Sequence, residues 1–552
     1  MDDSHFDVII LGTGLTESIT AAALSKVGYK VAHIDTNPYY GSEDASLSLD
    51  ELIAWADKHA LNPISSDQIK YTSVSHSGTQ LPFARQYSIS LMPALIYSMG
   101  PLISSLVSSG VARYGGYRLL QRISIFREAG RLASVPGSKE DVFKDKEISL
   151  IDKRRLMRFL MFAAGEFEDK PELSGREDMP FHEFLQAAFS LNNEAQAIIT
   201  YTLAYCITPS DSSKPALERV RRFLRSAGRY GPSSFLVGHY GGAGEIAQGF
   251  CRTAAVSGAV YILGRTIISL SPPSSADEVA PPEPPKSTAA FTVTLDDFPE
   301  PLTCDLVISS RKHLPESLSV QASYIPPHNV PHPNISVARC VAIIDRALTF
   351  STSTQPSFVD GEESASPRPD DESPDAAMIV FPPSSVEGGS NSASATAILM
   401  GEGTMSTPAG KWILYLSLPL VGGQFTSDQS AESTLRPYLS AALSFGIDAE
   451  ANPLQPLFTL FYYERHSSIT PTSSPNASPE SASDKNVLVT PPSDPLASEF
   501  FDAAATNAEA TYRAASSFLK QRRPETASDE VAETDSFWPP VEQDAEDEDE
   551  WE

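Results

Sequence analysis

Cysteine is scarce in this chain. Its only four, Cys206, Cys251, Cys304 and Cys340, lie far apart and form no Cys-x-x-Cys pair, so reduced, buried thiols are expected rather than a zinc site or a disulfide framework. Basic residues are short as well: 41 lysines and arginines face 70 acids, and a formal charge of −29 disfavours nucleic acid as the main partner. Long apolar runs are missing. The most apolar stretch after the start, Ser88 to Ser109, is broken by Pro93, Gly100, Pro101 and several serines, short of the roughly 18 apolar residues of a spanning helix. The ten histidines are dispersed without an HExxH, and no nucleophile, base and orienting acid stand in a recognisable arrangement. These absences favour a binding protein over an enzyme. The start, MDDSHFDVII, is acidic and enters a strand at once, which leaves no room for a signal or transit peptide and points to the cytoplasm.

What the chain does have is a strong opening unit, Phe6 to Ser42. An apolar run, Phe6 to Leu11, reads as a strand buried on both faces; Gly12 and Gly14 make a turn; an alanine-rich helix runs from about Leu15 to Val27 and closes at Gly28. Lys30 to Asp35 is a second strand, and Asp35 stands 21 residues after Gly14, where a dinucleotide fold places the acid that holds a ribose. The fingerprint is damaged at its third glycine, where Glu17 stands. A carboxylate in the first helical turn suits the helix dipole and repels a bound anion, so the unit is expected to be used without a cofactor.

A helix is expected over Ser48 to Leu61, with Leu49, Leu52, Ile53 and Trp55 as its apolar positions. A strand-like LLQRISIF (119–126) follows later, and from about Ser149 to Arg229 the period turns helical. Ser149 to Asp152 forms a capping-box pattern, and Phe181, Phe184, Leu185, Ala188 and Phe189 recur at helical spacing. Arg219, Arg221, Arg222, Arg225 and Arg229 read either as a solvated face or as a surface for an acidic partner. A glycine-rich loop then opens a helix at Tyr240 to Arg252, without the Gly-Lys-Ser/Thr ending of a P-loop. His33 and His239 are expected to be packed or hydrogen-bonded.

Later strands are expected over 291–295, 338–345, 397–401, 412–418 and 457–463, and a last helix over 498–521. Inserts rich in proline, serine and acids, near 271–287, 351–374 and 467–494, are expected to be disordered. From Glu525 to Glu552 there are 13 acids and no lysine or arginine, an acidic tail that could tune partner choice or aid solubility. The expected architecture is α/β: an FAD/NAD(P)-binding-like sheet domain (1–127 and 231–522), an inserted all-helical domain (128–230), and the tail (523–552).

The segments DVIILGTGLTESITAAALSKVGYKVAHIDTNPYYGSEDAS and GEIAQGFCRTAAVSGAVYIL, with FREAGRLASVPGSKEDVF, KRRLMRFLMF, GRYG, PLFTLFYYERHSS and FWPP, closely resemble the Rab GDP-dissociation inhibitor and escort protein superfamily. Its glycine turn carries the same Glu at Glu17. The resemblance implies a fold similar to flavin oxidases, no cofactor and no catalysis. The partners it implies are GDP-bound Rab GTPases, the Rab geranylgeranyltransferase αβ heterodimer, and the geranylgeranyl lipid carried on Rab, with transient membrane association. The late inserts, the acidic tail and a Phe–Arg pair at Phe143 and Arg154 point to the escort branch, in which such a pair docks the transferase; a helix-start aromatic and a surface charge are the plainer reading of those two. Tyr40 matches the second Tyr of the family's NPYYG turn, and Glu245, Gln248 and Arg252 match its GELPQGFxR stretch, which together implies a Rab-binding platform. Here Ile246-Ala247 replaces Leu-Pro, and the loop YGGAGE is one residue longer than the usual YGLGE. The helical aromatics Phe159, Met161, Phe162, Phe184 and Phe189 could line a lipid groove or form an ordinary core. A dissociation inhibitor without escort activity, or a flavin-dependent oxidoreductase on the same fold, are the alternatives.

Overall fold

A computed structural model describes residues 4–61, 69–78, 80–127, 131–135, 149–271, 291–315, 318, 322–327, 335–350, 373–421, 429–446, 454–466, 486–522 and 536–539. The opening unit forms as its sequence requires. His5–Leu11 and Val31–Asp35 pair in parallel, with Val8 opposite Val31 and Leu11 opposite Ile34. Between them the Leu15–Lys26 helix is buried from Leu15 to Ser25, because other helices pack around it and its alanines let them approach closely.

Around this unit a sheet is built in the order Ile267–Ser271, Phe291–Leu295, Leu302–Ser309, His5–Leu11, Val31–Asp35, Val260–Leu263. Its two faces are covered differently. Val8, Ile10 and Val31 pack under the helices Leu15–Lys26, Pro101–Ser109, Ala243–Val256 and Phe500–Arg522. On the other face, Ile9, Leu11, Ala32 and Ile34 meet the antiparallel meander through Val293 and Leu295. One strand thus feeds two cores by alternation.

The second sheet runs Tyr71–Gly78, Phe458–Arg465, Ser336–Ile344, Trp412–Leu420, Ala395–Met400, Ala376–Phe381, Arg122–Arg127, Arg131–Ser134. Ala338, Cys340, Ala342 and Ile344 face the Ala431–Leu443 helix, while Val341 and Ile343 face the helical domain. In that domain Ser149 accepts a bond from the Asp152 amide and caps the Leu150–Ala164 helix. Phe159, Phe181, Phe184 and Phe189 are at most 2% exposed and pack on one another, so these aromatics are core, not the lining of a groove; Met161 points outward.

Several expectations are corrected. Arg131–Ser134 is a strand paired with Arg122–Arg127, so the helical span begins later than 128. Val487–Val489 falls inside the expected insert 467–494 yet extends the first sheet beside Leu302–Ser309; the rest of that insert up to 485, and 272–290 and 351–372, lie outside the described residues. Within the expected tail, Phe537 and Trp538 are each 9% exposed and close over Tyr512 and Phe250. The arginine row is split: Arg219, Arg221 and Arg222 are tied into the protein, while Arg225 and Arg229 are exposed. Arg219 donates to the Ala204 carbonyl, Arg221 pairs with Glu168 at 2.8 Å, Arg225 with Glu166 at 2.9 Å, and Arg222 spans Glu499 and Asp502 over the Tyr97 ring. All four cysteines are free and buried.

Candidate functional site

The glycine turn comes first, since a cofactor would sit there. At the start of the Leu15–Lys26 helix, a Cβ on Gly14 would lie 2.7 Å from a Glu17 oxygen and 3.5 Å from an Asp44 oxygen. The Glu17 carboxylate folds back over the turn, where it accepts a bond from Thr490 at 2.7 Å. Asp44 accepts from the Leu15 amide at 2.9 Å and so takes one of the amide donors that a pyrophosphate would need. Burial pushes the Glu17 carboxyl up to about 7 and that of Asp44 up to about 6.

Asp35 is equally spent. One oxygen accepts from the Thr13 amide at 2.8 Å and the Thr13 hydroxyl at 2.6 Å, the other from the Asn37 amide at 2.8 Å and its side chain at 3.0 Å. Gly12 has a φ of 89° and lies flat against His313, which a Cβ would meet at 2.7 Å. His33 bonds the Gly12 carbonyl at 2.5 Å, and burial drops its pKa to about 4. The anion site holds two carboxylates and the ribose acid has no free acceptor direction, so these residues do not fit a dinucleotide.

The same bonds shape the turn that follows. The Thr13 hydroxyl, donating to Asp35, accepts from the Gly41 amide at 3.1 Å, and Ser42 meets His313 at 3.3 Å. Glu43 pairs with Lys70 at 2.9 Å and with Lys312; burial works to raise its carboxyl, but the two lysines outweigh it and bring it down to about 2. Lys70 also reaches Glu464 at 3.4 Å, and Glu464 is paired with the fully buried Arg339 at 2.8 Å. Four successive residues after Tyr40 are therefore tied inward. Tyr39 is 41% exposed, and Tyr40 is half-buried with its ring edge-on to Tyr261 at 5.5 Å.

Against this turn lies the start of the Ala243–Val256 helix. Cβ atoms on Gly41 and Gly244 would come within 3.0 Å of the Gly244 Cα and 2.8 Å of the Ala45 Cα, so only glycines allow the two backbones this approach. Ile246, Ala247, Phe250, Cys251 and Ala254 form the buried stripe of the helix. Glu245, Gln248 and Arg252 fall on the opposite, exposed face at i, i+3 and i+7. Ile246 and Ala247, where Leu-Pro is usual, both point into the core. The Arg252 guanidinium sits 4.5 Å over the exposed Tyr114 ring, which holds it in place.

The structure thus brings Tyr40, Glu245, Gln248 and Arg252 to neighbouring elements. Arg154 is exposed on the Leu150–Ala164 helix, and Phe143 lies outside the described residues. Sequence reasoning missed Asp44 and Tyr114. Neither carries a local signal: Asp44 acts 29 residues from Leu15, and Tyr114 meets Arg252 only through the fold.

Residues 1–276 match the model of the GDP dissociation inhibitor family. The chain is 35% identical over 298 residues to a Rab proteins geranylgeranyltransferase component A of Drosophila melanogaster, covering 50% of this chain and 57% of that protein. It is 29% identical over 427 residues to the protein of the same name from Saccharomyces cerevisiae, covering 77% of this chain and 63% of that one, so it spans roughly three fifths of the length of these relatives. Among solved structures, a Rab GDI from Plasmodium falciparum superposes with a TM-score of 0.60 at 18% identity, over 92% of this chain and 98% of that one, which shows the fold to be shared. With half its length matched by the family model, and with the glycine turn and its carboxylate laid out as above, the chain belongs to the GDP dissociation inhibitor family.

Proposed function

We propose that this protein is a non-catalytic escort factor for Rab GTPases. It binds the newly made, GDP-bound GTPase on the face carrying Tyr40, Glu245, Gln248 and Arg252, presents it to Rab geranylgeranyltransferase, and carries the prenylated product to membranes. The observation that supports this most is the division of the opening unit: its cofactor side is filled by its own carboxylates, while a row of polar and charged side chains stands exposed on the helix packed beside it. Such a row can bond a partner's loops and select it by charge without any chemistry. The names of the relatives support the same partner class.

The lipid step has a physical basis. Each buried CH₂ is worth about 0.8 kcal/mol, so a prenylated GTPase leaves a membrane only when a protein shields its chains. Among the described residues no helix is long and apolar enough to cross a membrane. A flavin oxidoreductase is disfavoured by the spent donors and acceptors around Gly12, Gly14 and Asp35.

The test is reconstitution of the protein with unprenylated Rab, transferase and geranylgeranyl diphosphate. Transfer of lipid that depends on this protein is expected; extraction of prenylated Rab from membranes without support of transfer would make it a dissociation inhibitor instead. In the same assay Phe143→Ala and Arg154→Ala weaken capture of the transferase while Rab affinity stays the same.

A further inference from the structure

Three bulky side chains stand exposed on backbone that such residues rarely adopt, Phe83, Tyr240 and Met405, and the last two lie on segments bonded to each other. Tyr240 has a φ of 54° and Met405 a φ of 55°, and each is 49% exposed. A left-handed conformation is unfavourable for any residue with a Cβ and persists only where the surroundings impose it. Here they do, because the two segments hold each other. The Tyr240 amide donates to the Thr404 carbonyl at 3.2 Å, and the Gly241 amide to the Ser406 hydroxyl, also at 3.2 Å. The Met405 amide closes a tight turn onto Glu402 at 2.8 Å, and the Ser406 carbonyl accepts from the Ser88 amide at 3.0 Å. Glycine, which meets these angles without strain, follows at once at Gly241 and Gly242 yet is not used at either position.

The pair is continuous with the candidate platform. The Ser46 hydroxyl, in the segment that follows the Tyr40 turn, donates to the Tyr240 carbonyl at 2.7 Å, and Glu245 is five residues on, in the first turn of the helix that the Tyr240 loop opens. This is also the loop that carries one residue more than the family pattern. We propose that Tyr240 and Met405 form an apolar knuckle that extends the Tyr40–Arg252 face and docks against an apolar patch of the same GTPase. The proposal rests on the Rab-binding reading above. It supplies what the polar row lacks, a desolvated anchor beside a polar rim, with an aromatic and a methionine as the anchoring types. The strain is kept because the side chains are needed, not because the turn needs them.

Glycine substitution separates the two roles. The double variant Tyr240→Gly, Met405→Gly removes both side chains and relieves both conformations, so its melting temperature stays level or rises. Its affinity for GDP-loaded, unprenylated Rab GTPases, read by titration calorimetry across a panel, falls at least tenfold. Arg252→Glu serves as a second arm that tests the polar row alone. Loss of binding in Arg252→Glu with unchanged affinity in the glycine pair overturns the knuckle and leaves the platform standing. A fall in melting temperature together with affinity makes the two side chains structural and overturns it as well. A wild-type chain that binds no Rab in the panel defeats both readings.

Discussion

The turn from Tyr39 to Asp44 has two sides, and they are built on opposite terms. On the inner side the carboxylates and the first helical amide are consumed: Asp35 by Thr13 and Asn37, the Leu15 amide by Asp44, Glu43 by two lysines, Glu17 by Thr490. On the outer side Glu245 and Gln248 stand exposed, and Arg252 is only laid over an aromatic ring. A dinucleotide fold normally leaves its inner side open for a ligand. Here the inner side is self-sufficient and fixes the shape of the outer one, so the recognition proposed above lies on the surface rather than in the cleft.

The contrast can be broken from the inside first. Glu464→Leu strips Arg339, 1% exposed, of its counter-ion and costs about 3–5 kcal/mol in chemical denaturation. Rab affinity of the fraction still folded is unchanged; a selective loss of binding would mean that the inner network tunes the surface directly. From the outside, reversing the charges in Glu245→Lys with Arg252→Glu weakens Rab binding on the order of 100-fold, about 2.7 kcal/mol, with an unaltered melting temperature. Unaltered affinity would remove the outer face from the account.

Glu17 offers a finer test through pH. Its carboxyl is raised to about 7 in the folded state, so the folded form holds the proton more tightly than the unfolded one. The contribution of this group is fully present below about pH 4.5 and is lost as the pH rises through about 7. Glu17→Gln, which keeps an acceptor for Thr490, is expected to be about 3 kcal/mol more stable than the wild type at pH 8 and equal to it near pH 4. A difference between Glu17→Gln and the wild type that stays the same from pH 4 to pH 8 would count against the buried, self-satisfied turn. The smallest effect belongs to Thr490→Val. Removing the hydroxyl that faces the carboxylate costs about 1 kcal/mol at pH 8 and less at pH 5, where Glu17 is protonated.

Much of this was legible in order of sequence. The opening strand, turn, helix and strand appear where glycines and apolar runs put them, the helices at 49–59 and 150–164 follow their periodicity and caps, and the helix at 500–522 falls where a last helix is expected. Leu302–Ser309, which pairs with the first strand, was not legible. Its Thr303, Cys304 and Asp305 interrupt the apolar pattern, and Asp305 is buried there beside His5 at 3.6 Å. Tyr71–Gly78 hides for a similar reason, being rich in serine and held at the edge of its sheet.

The chain by itself determined that a nucleotide-type unit opens the fold, that Glu17 stands where phosphate would have to bind, and that Glu245, Gln248 and Arg252 share one helix face. These are properties of spacing and residue type within one element, which local backbone geometry fixes. Only the tertiary structure decided what meets Glu17 and what frees the outer row. Thr490 is 473 residues from Glu17, and Lys312 is 269 from Glu43; such contacts arise when distant strands close a sheet, and no local pattern encodes them.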